Sequence, residues 1–358
     1  MLGREFKMSY KSGMAALNLE FTDTVPRTEY SAEFHWPLIK KVTGIDTDKE
    51  ENRGKARREF IKKWDYAFMW QTAVGPSELR KRGRVTKMGH AVYAEGGTDF
   101  DTEMQCPFKD VEDVLNFDPY KEYGEVNINK IIREIESNYE IQKTTYEDTV
   151  SMGGVYVTLF SGFIEIFGWE MFLLAAGTDI ARFDKVIENY YRWIKQYYLA
   201  YAKSNVPVFM CHDDICWTSG PVMSPDWYRK AIFPRLKKLL KPLLEAGKKV
   251  IFTSDGNYTE FFDDIVDCGA HMLVMEPSCD MKLFADKYGK THGFVGNADT
   301  RILLLGTKQD IYNEVKRCME IGKKYPGFII AVGNHIPPNT PVDNALYYNE
   351  AYLKLRKR

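Results

Sequence analysis

Apolar residues in the second half of the chain fall into two alternating patterns. Short continuous apolar runs occupy 207–211, 249–252, 271–275, 293–296 and 327–332. Unbroken apolar character, without every-other-residue polarity, is what a parallel strand shows when both faces of its sheet are covered. Between these runs apolar residues recur at helical spacing. The sets are Ile232, Leu236, Leu239 and Leu240, then Phe261, Phe262, Ile265 and Val266, then Met281, Leu283, Phe284 and Tyr288. A further helix is predicted over 307–324. Ser224 is placed to cap the first of these helices, with Pro225 at its first position and Asp226 in its first turn. Pro234 and Pro242 divide or kink that helix, and Gly247 ends it. Earlier strands are expected over 25–30 and 154–160, and a short one over 302–305.

Strands joined to helices by short loops predict a parallel sheet with every strand's C-terminal end on one side. The total is about eight strands, the number of an α/β (β/α)8 TIM barrel. The region 39–143 fits this pattern less well. It is charged, helical over 53–68, and glycine-rich with hairpin character over 82–100. It reads as an N-terminal helical and hairpin insertion capping the barrel. No repeat or low-complexity linker divides the chain, so residues 1–358 are expected to form one domain.

Charge narrows the partners. Lys and Arg number 49 and Asp and Glu 50, for a net charge of -1. That balance argues against a nucleic-acid partner or a polybasic membrane anchor. No apolar run approaches the roughly 18 residues of a spanning helix, and residues 1–7 carry both signs of charge and no apolar core of a signal peptide. The six cysteines are scattered with no CxxC pair, which predicts a reduced, cytoplasmic protein.

The predicted strand ends carry the candidate chemistry. They read Glu29-Tyr30, His212-Asp213-Asp214, Asp255 with Asn257, Glu276, Asn297 with Asp299, and Asn334-His335. In barrels of this kind the site lies at that face, so Glu29, His212, Asp214, Asp255, Glu276, Asn297 and His335 are expected to line one cavity. Carboxylates and imidazoles held together bind a divalent cation or carry protons. Asp255 and Asp299 also precede helices, where aspartate serves as a cap. His335, Glu276 and Asp255 are the candidate catalytic residues. Glu29, Tyr30, His212, Asp214, Trp217 and Asn297 are the candidate substrate-binding residues. His335 is the foremost of these: it leaves the last strand on a loop fixed by Pro337 and Pro338. Glu276 ends an apolar strand, where a carboxylate is costly unless paired, so a buried structural ion pair competes with a direct role. Cys211 and His212 point to opposite faces and do not share one ion. His35, His90, His271 and His292 read as structural. Neither a GxGxxG nor a Walker sequence occurs.

Several segments together resemble the uroporphyrinogen decarboxylase superfamily. They are Gly220-Pro221-Val222-Met223-Ser224-Pro225 with its helix to Pro234, Thr253-Ser254-Asp255-Gly256-Asn257, Gly296-Asn297-Ala298-Asp299, Leu304-Leu305-Gly306-Thr307, and the run from Gly333 to Pro341. The likeness extends from about Val25 to the C-terminus and is clearest from about Gly154. The superfamily holds tetrapyrrole decarboxylases and corrinoid-linked methyltransferases, and the motifs do not separate them. The departures do. The decarboxylases begin with an arginine-rich segment that grips the substrate's carboxylates; here the first strand reads Val25-Pro26-Arg27-Thr28-Glu29-Tyr30. Their early functional aspartate has no clear counterpart in the aromatic stretch from Trp64 to Trp70. His335 falls where they have a functional histidine.

The zinc methyltransferases of the superfamily carry His-x-Cys and a later Cys. The matching positions here are Thr253, Asp255 and Gly333 or Asn334, so the thiolate site is missing. The resemblance then implies that zinc, if used, is held by oxygen and imidazole ligands drawn from Asp255, Glu276, His212 and His335. The implied function is methyl transfer between a small methylated donor and a corrinoid, free or on a partner corrinoid protein. Tyr30, Phe160, Phe163, Phe167, Trp169 and Trp217 tilt the donor toward a methoxyaromatic. The alternatives are a tetrapyrrole decarboxylase and a non-catalytic tetrapyrrole- or corrinoid-binding protein. The oligomeric state is open, a homodimer being one option.

Overall fold

The computed structural model describes residues 8–87 and 106–358. The apolar runs form a six-stranded parallel sheet in the spatial order β10-β9-β8-β7-β4-β3. Its strands are β3 (Gly153–Val155), β4 (Val208–His212), β7 (Lys249–Thr253), β8 (Met272–Val274), β9 (Gly293–Val295) and β10 (Phe328–Ile329). Two further strands, β1 (Phe68–Met69) and β2 (Val150–Ser151), pair in parallel, and β2 runs on into β3. A short antiparallel hairpin, β5 (Cys216–Trp217) with β6 (Gly220–Pro221), projects from the β4 end.

The segment 25–30 closes the ring. Arg27 bridges Ile330 on one side and Tyr66 on the other, both in parallel. Thr28 N donates to Ile330 O at 3.1 Å and Ala67 N to Arg27 O at 2.7 Å. Counted around the ring, segment 25–30, β1, β2–β3, β4, β7, β8, β9 and β10 make the eight staves of a TIM barrel among the described residues.

Inward residues fill the barrel as a compact apolar column: Phe68, Val150, Met210, Ile251, Met272, Val274, Val295 and Ile329. The helix Met8–Leu17 closes the N-terminal end of this column with Ala16 and Leu17. It lies so close that a Cβ on Gly13 would stand 2.8 Å from Ala67 O. With the bottom plugged, the open end is the one where the strands terminate.

Three local expectations change. The strand expected over 154–160 ends at Val155, and a helix, Phe160–Phe167, begins soon after. That helix is buried on all sides, so its apolar residues show no period that separates helix from strand. The segment expected as a short strand over 302–305 lies in the helix Thr300–Leu305, capped by Asp299, whose side chain accepts from Arg301 N. The region 39–143 contains the predicted helix, Glu50–Lys63, but also barrel stave β1, so it is not wholly a cap. The hairpin expected over 82–100 falls largely outside the described residues.

Ser224 does cap the helical segment that follows, accepting from Trp227 N. A wide turn over Tyr228–Ile232 precedes Pro234, and Pro242 sits inside the helix Phe233–Glu245. Proline supplies no N–H to the preceding turn, which accounts for the irregular stretch. Among the described residues no single helix is long and apolar enough to cross a membrane.

Candidate active site

A cavity of about 220 Å³ opens at the strand ends, lined among others by Tyr30, Trp70, Tyr156, His212, Thr253 and Asp255. Glu276, Asn334 and His335 complete its polar wall. Each functional side chain reaches it through a named strand end.

His212 is the last residue of β4, and the chain turns at once through Asp213 and Asp214. Side chains alternate along an extended chain. Asp213 accordingly faces away from the cavity: its Oδ1 accepts from Ser161 N at 2.7 Å and Leu159 N at 3.3 Å, at the start of the helix Phe160–Phe167. Full burial pushes its carboxyl up to about 7. Asp214 turns inward. Its Oδ1 accepts from His212 Nε2 and from Asp255 N, both at 2.8 Å. Tyr156 OH approaches its Oδ2 at 3.4 Å, and the Tyr156 ring packs 4.1 Å from the His212 ring. Burial, then the charges of Asp214 and Asp255, raise the Tyr156 phenol well above its usual value.

His212, Asp214 and Asp255 form one tight group. Each offers a ligand atom, and these atoms all lie within 4.8 Å of one another. One imidazole and two carboxylates are a donor set that suits zinc or a harder divalent cation. His212 and Asp255 were expected as metal ligands. Glu276 and His335 line the same cavity but join no such three-residue group among the described residues; Asp214 takes the third place.

Glu276 stands beyond β8. Its Oε2 accepts from Gly256 N at 2.7 Å and its Oε1 from Asn334 Nδ2 at 2.6 Å. No cation pairs with it in those bonds. Burial is the largest influence on its carboxyl and raises it, with Asp214 and Asp299 adding repulsion. Gly256 must be glycine: its φ is +76°, and a Cβ there would lie 2.4 Å from Cys216 O. His335 leaves β10 with its Nδ1 on Ser31 Oγ at 2.8 Å, its carbonyl accepting from Thr300 Oγ1 at 2.7 Å.

An aromatic wall faces the polar one. Tyr30 stacks on Trp70 with centroids 4.7 Å apart and planes 4° apart. Among the described residues Trp70 Nε1 and Tyr30 OH are buried without a hydrogen-bond partner, the phenol facing Thr253. An unpaired buried donor costs about 1–3 kcal/mol, so this wall has capacity for an acceptor atom of a ligand.

Asp214, also expected in the lining, holds the lining residues His212 and Asp255 without itself lining the cavity, and three further candidate site residues lie elsewhere. Glu29 is fully buried behind the wall, its Oε2 accepting from Val332 N and its Oε1 from Tyr348 OH, with Arg27 at 4.0 Å. Asn297 is buried as a brace: Nδ2 donates to Glu276 O and Cys279 O, and Oδ1 accepts from Arg317. Trp217 is exposed on the β5–β6 hairpin, 5.3 Å from the Trp169 ring. Phe160, Phe163 and Phe167 are core residues of their helix. Of the six rings taken as a pocket for an aromatic donor, Tyr30 alone lines the cavity, joined by Trp70 and Tyr156. Trp70 and Tyr156 were missed because both follow strands that the apolar pattern placed wrongly or not at all.

The uroporphyrinogen decarboxylase (URO-D) family matches residues 88–354. The chain belongs to that family. Uroporphyrinogen decarboxylase from Geobacter metallireducens is 28% identical over 141 residues, 39% of this chain and 41% of the relative. The one from Carboxydothermus hydrogenoformans is 28% identical over 171 residues, 48% and 46% of the two chains. These matches span less than half of either protein. Among solved structures, a methyltransferase from Methanosarcina mazei superposes with a TM-score of 0.65 at 18% identity, over 97% of this chain and 98% of that one. At that identity the likeness is one of fold. It covers nearly the whole chain.

Proposed function

We propose that this URO-D family member transfers a methyl group between a small methylated donor and a corrinoid, free or carried on a separate protein. The observation that carries the reading is the pairing of a small aromatic-walled cavity with the His212, Asp214 and Asp255 group. A cavity of about 220 Å³ is smaller than the roughly 300–1,000 Å³ of sites for drug-sized ligands. Among the described residues no Lys or Arg lines it. A tetrapyrrole bearing many carboxylates finds neither room nor counter-charge there. A corrin ring is likewise too large to enter, so the reading places it outside the cavity, at the mouth.

The donor set fits a divalent metal such as zinc, held by His212, Asp214 and Asp255. When bound, such an ion supplies Lewis-acid polarisation of a donor heteroatom. The protein's own groups do the rest. Tyr30 and Trp70 offer a flat apolar wall, which suits a methoxyaromatic donor. Glu276, held above the usual carboxyl range by burial, keeps a proton available for the departing oxygen. Asp214 orients His212 and Asp255 together.

The family name and the placement of His335 favour a second reading, decarboxylation of a tetrapyrrole. One assay separates the two. Purified protein is supplied with zinc, free cob(I)alamin and a panel of methylated donors, and methylcobalamin is followed by absorbance. A parallel incubation with uroporphyrinogen III is analysed by chromatography. Methylcobalamin formation is expected; coproporphyrinogen at an enzymic rate replaces methyl transfer with the second reading.

A further inference from the structure

Ser31 has a left-handed backbone, with φ 54°. Among the described residues only Leu19 and Asp65 are other non-glycine positions with positive φ. Glycine, and to a lesser degree asparagine, takes that conformation at low cost; serine does not. Strain held at a residue beside a site calls for a compensating use. Ser31 also occupies the N-cap position of the short helix Ala32–Phe34, the usual reason for a serine, yet its side chain caps nothing there. Its hydroxyl lies instead 2.8 Å from His335 Nδ1.

The neighbours of Ser31 act on the same loop. Glu29 Oε2 accepts from Val332 N at 2.9 Å, and Tyr30 O accepts from Ile336 N at 3.3 Å. Three successive residues at the end of the first stave thus hold the segment from Val332 to Ile336. Two of these contacts fix its backbone. Of these three hydrogen bonds, the Ser31 one is made to the imidazole, whose ring also lies 6.0 Å from that of Tyr30.

We infer that Ser31 is a positioning residue for His335: its hydroxyl holds Nδ1, so His335 acts in the cavity through Nε2. The serine is kept at a strained position because glycine, which fits the backbone better, has no hydroxyl to orient the ring. The inference rests on the cavity being the active site, but its primary test needs no turnover.

The test is histidine-selective nitrogen-15 NMR on the full chain, with Ser31→Gly and Ser31→Ala beside the wild type and His335→Gln to assign the signal. In the wild type, His335 Nδ1 and Nε2 are expected to resonate apart, with one tautomer dominant. In both variants they are expected to move toward a common averaged position while the other histidine signals stay in place. Ser31→Gly is expected to unfold at about the wild-type temperature, because strain relief offsets its greater freedom in the unfolded chain. Methyl transfer should fall by about 10–100-fold in kcat, as for other groups that orient a site histidine, with KM little changed. His335 nitrogens unmoved in both variants overturn the inference. Movement in Ser31→Ala but not Ser31→Gly also overturns it, since that assigns the effect to backbone strain. A wild type without turnover rejects the methyl-transfer reading and leaves the NMR outcome to decide the role of Ser31.

Discussion

Replacing Glu29 by Gln separates a charge from a shape at the seam where the barrel closes. Glu29 is fully buried, and burial pushes its carboxyl from the ordinary 4.5 up to about 7, against the opposing pull of Arg27. The folded state therefore binds this proton more tightly than the unfolded chain does. A group raised in this way contributes stability that is complete below the unfolded value of 4.5 and lost as pH climbs through about 7. At 1.36 kcal/mol per unit the loss across that window is about 3 kcal/mol. Glutamine keeps the local bonds: its oxygen accepts from Val332 N, and its amide donates to Tyr348 OH, which turns to accept. The difference in unfolding free energy, Glu29→Gln minus wild type, should thus rise by about 3 kcal/mol between pH 4.5 and pH 8. Urea denaturation at several pH values measures it, and the subtraction removes other titrating groups such as Asp213. A flat or falling difference would show that Arg27, 4.0 Å away, outweighs burial and keeps Glu29 ionised, and the reasoning would fail.

Four more outcomes follow from the site. Asp214→Asn and Asp255→Asn should each weaken zinc binding to chelator-treated protein by at least about 10–100-fold in calorimetry; wild-type affinity in both rejects the metal group. His335→Ala should cost roughly 10²-fold or more in turnover with little change in unfolding temperature, and near-normal turnover or global unfolding in that variant counts against its role. Activity that depends on a protonated Glu276 should decline as pH rises through its raised value, and Glu276→Gln should flatten that decline; an unaltered alkaline limb in the variant assigns the proton elsewhere. Glu276→Ala should also destabilise, because Gly256 N and Asn334 Nδ2 lose their acceptor at about 1–3 kcal/mol each.

What was legible in the sequence follows strand parity. His212, Asp255, Glu276 and His335 each come just after a continuous apolar run, and all four line the cavity. Neighbouring residues of an extended chain face opposite ways, which separates Cys211 from His212. The same rule places Glu29 opposite Tyr30: the tyrosine lines the cavity while the glutamate turns toward Tyr348. It also sends Asp213 outward between His212 and Asp214. Trp70 was hidden because β1 is two residues long and sits within a charged, largely helical region. Asn297 could not be placed from sequence at all. Its role depends on two carbonyls, of Glu276 and Cys279, brought to it by the next stave of the barrel.

The polar side chains of the cavity are tied together before any ligand arrives. From the β4 end, Asp214 holds His212 and accepts from Asp255 N at the β7 end. The next residue, Gly256, donates to Glu276 beyond β8, and Glu276 accepts in turn from Asn334 beyond β10. His335, adjacent to Asn334, reaches Ser31 after the first stave. The pairs Asp255-Gly256 and Asn334-His335 join these links through the backbone, so one belt of hydrogen bonds runs around more than half the mouth. The belt bypasses β9, whose Asn297 braces Glu276 from behind. The carboxylates of Asp214 and Glu276 already have donors, so their positions are set by the protein and not by the ligand. Groups fixed in this way need little rearrangement when charge develops during reaction. The same belt draws five stave ends together across the mouth, which keeps the cavity between them small.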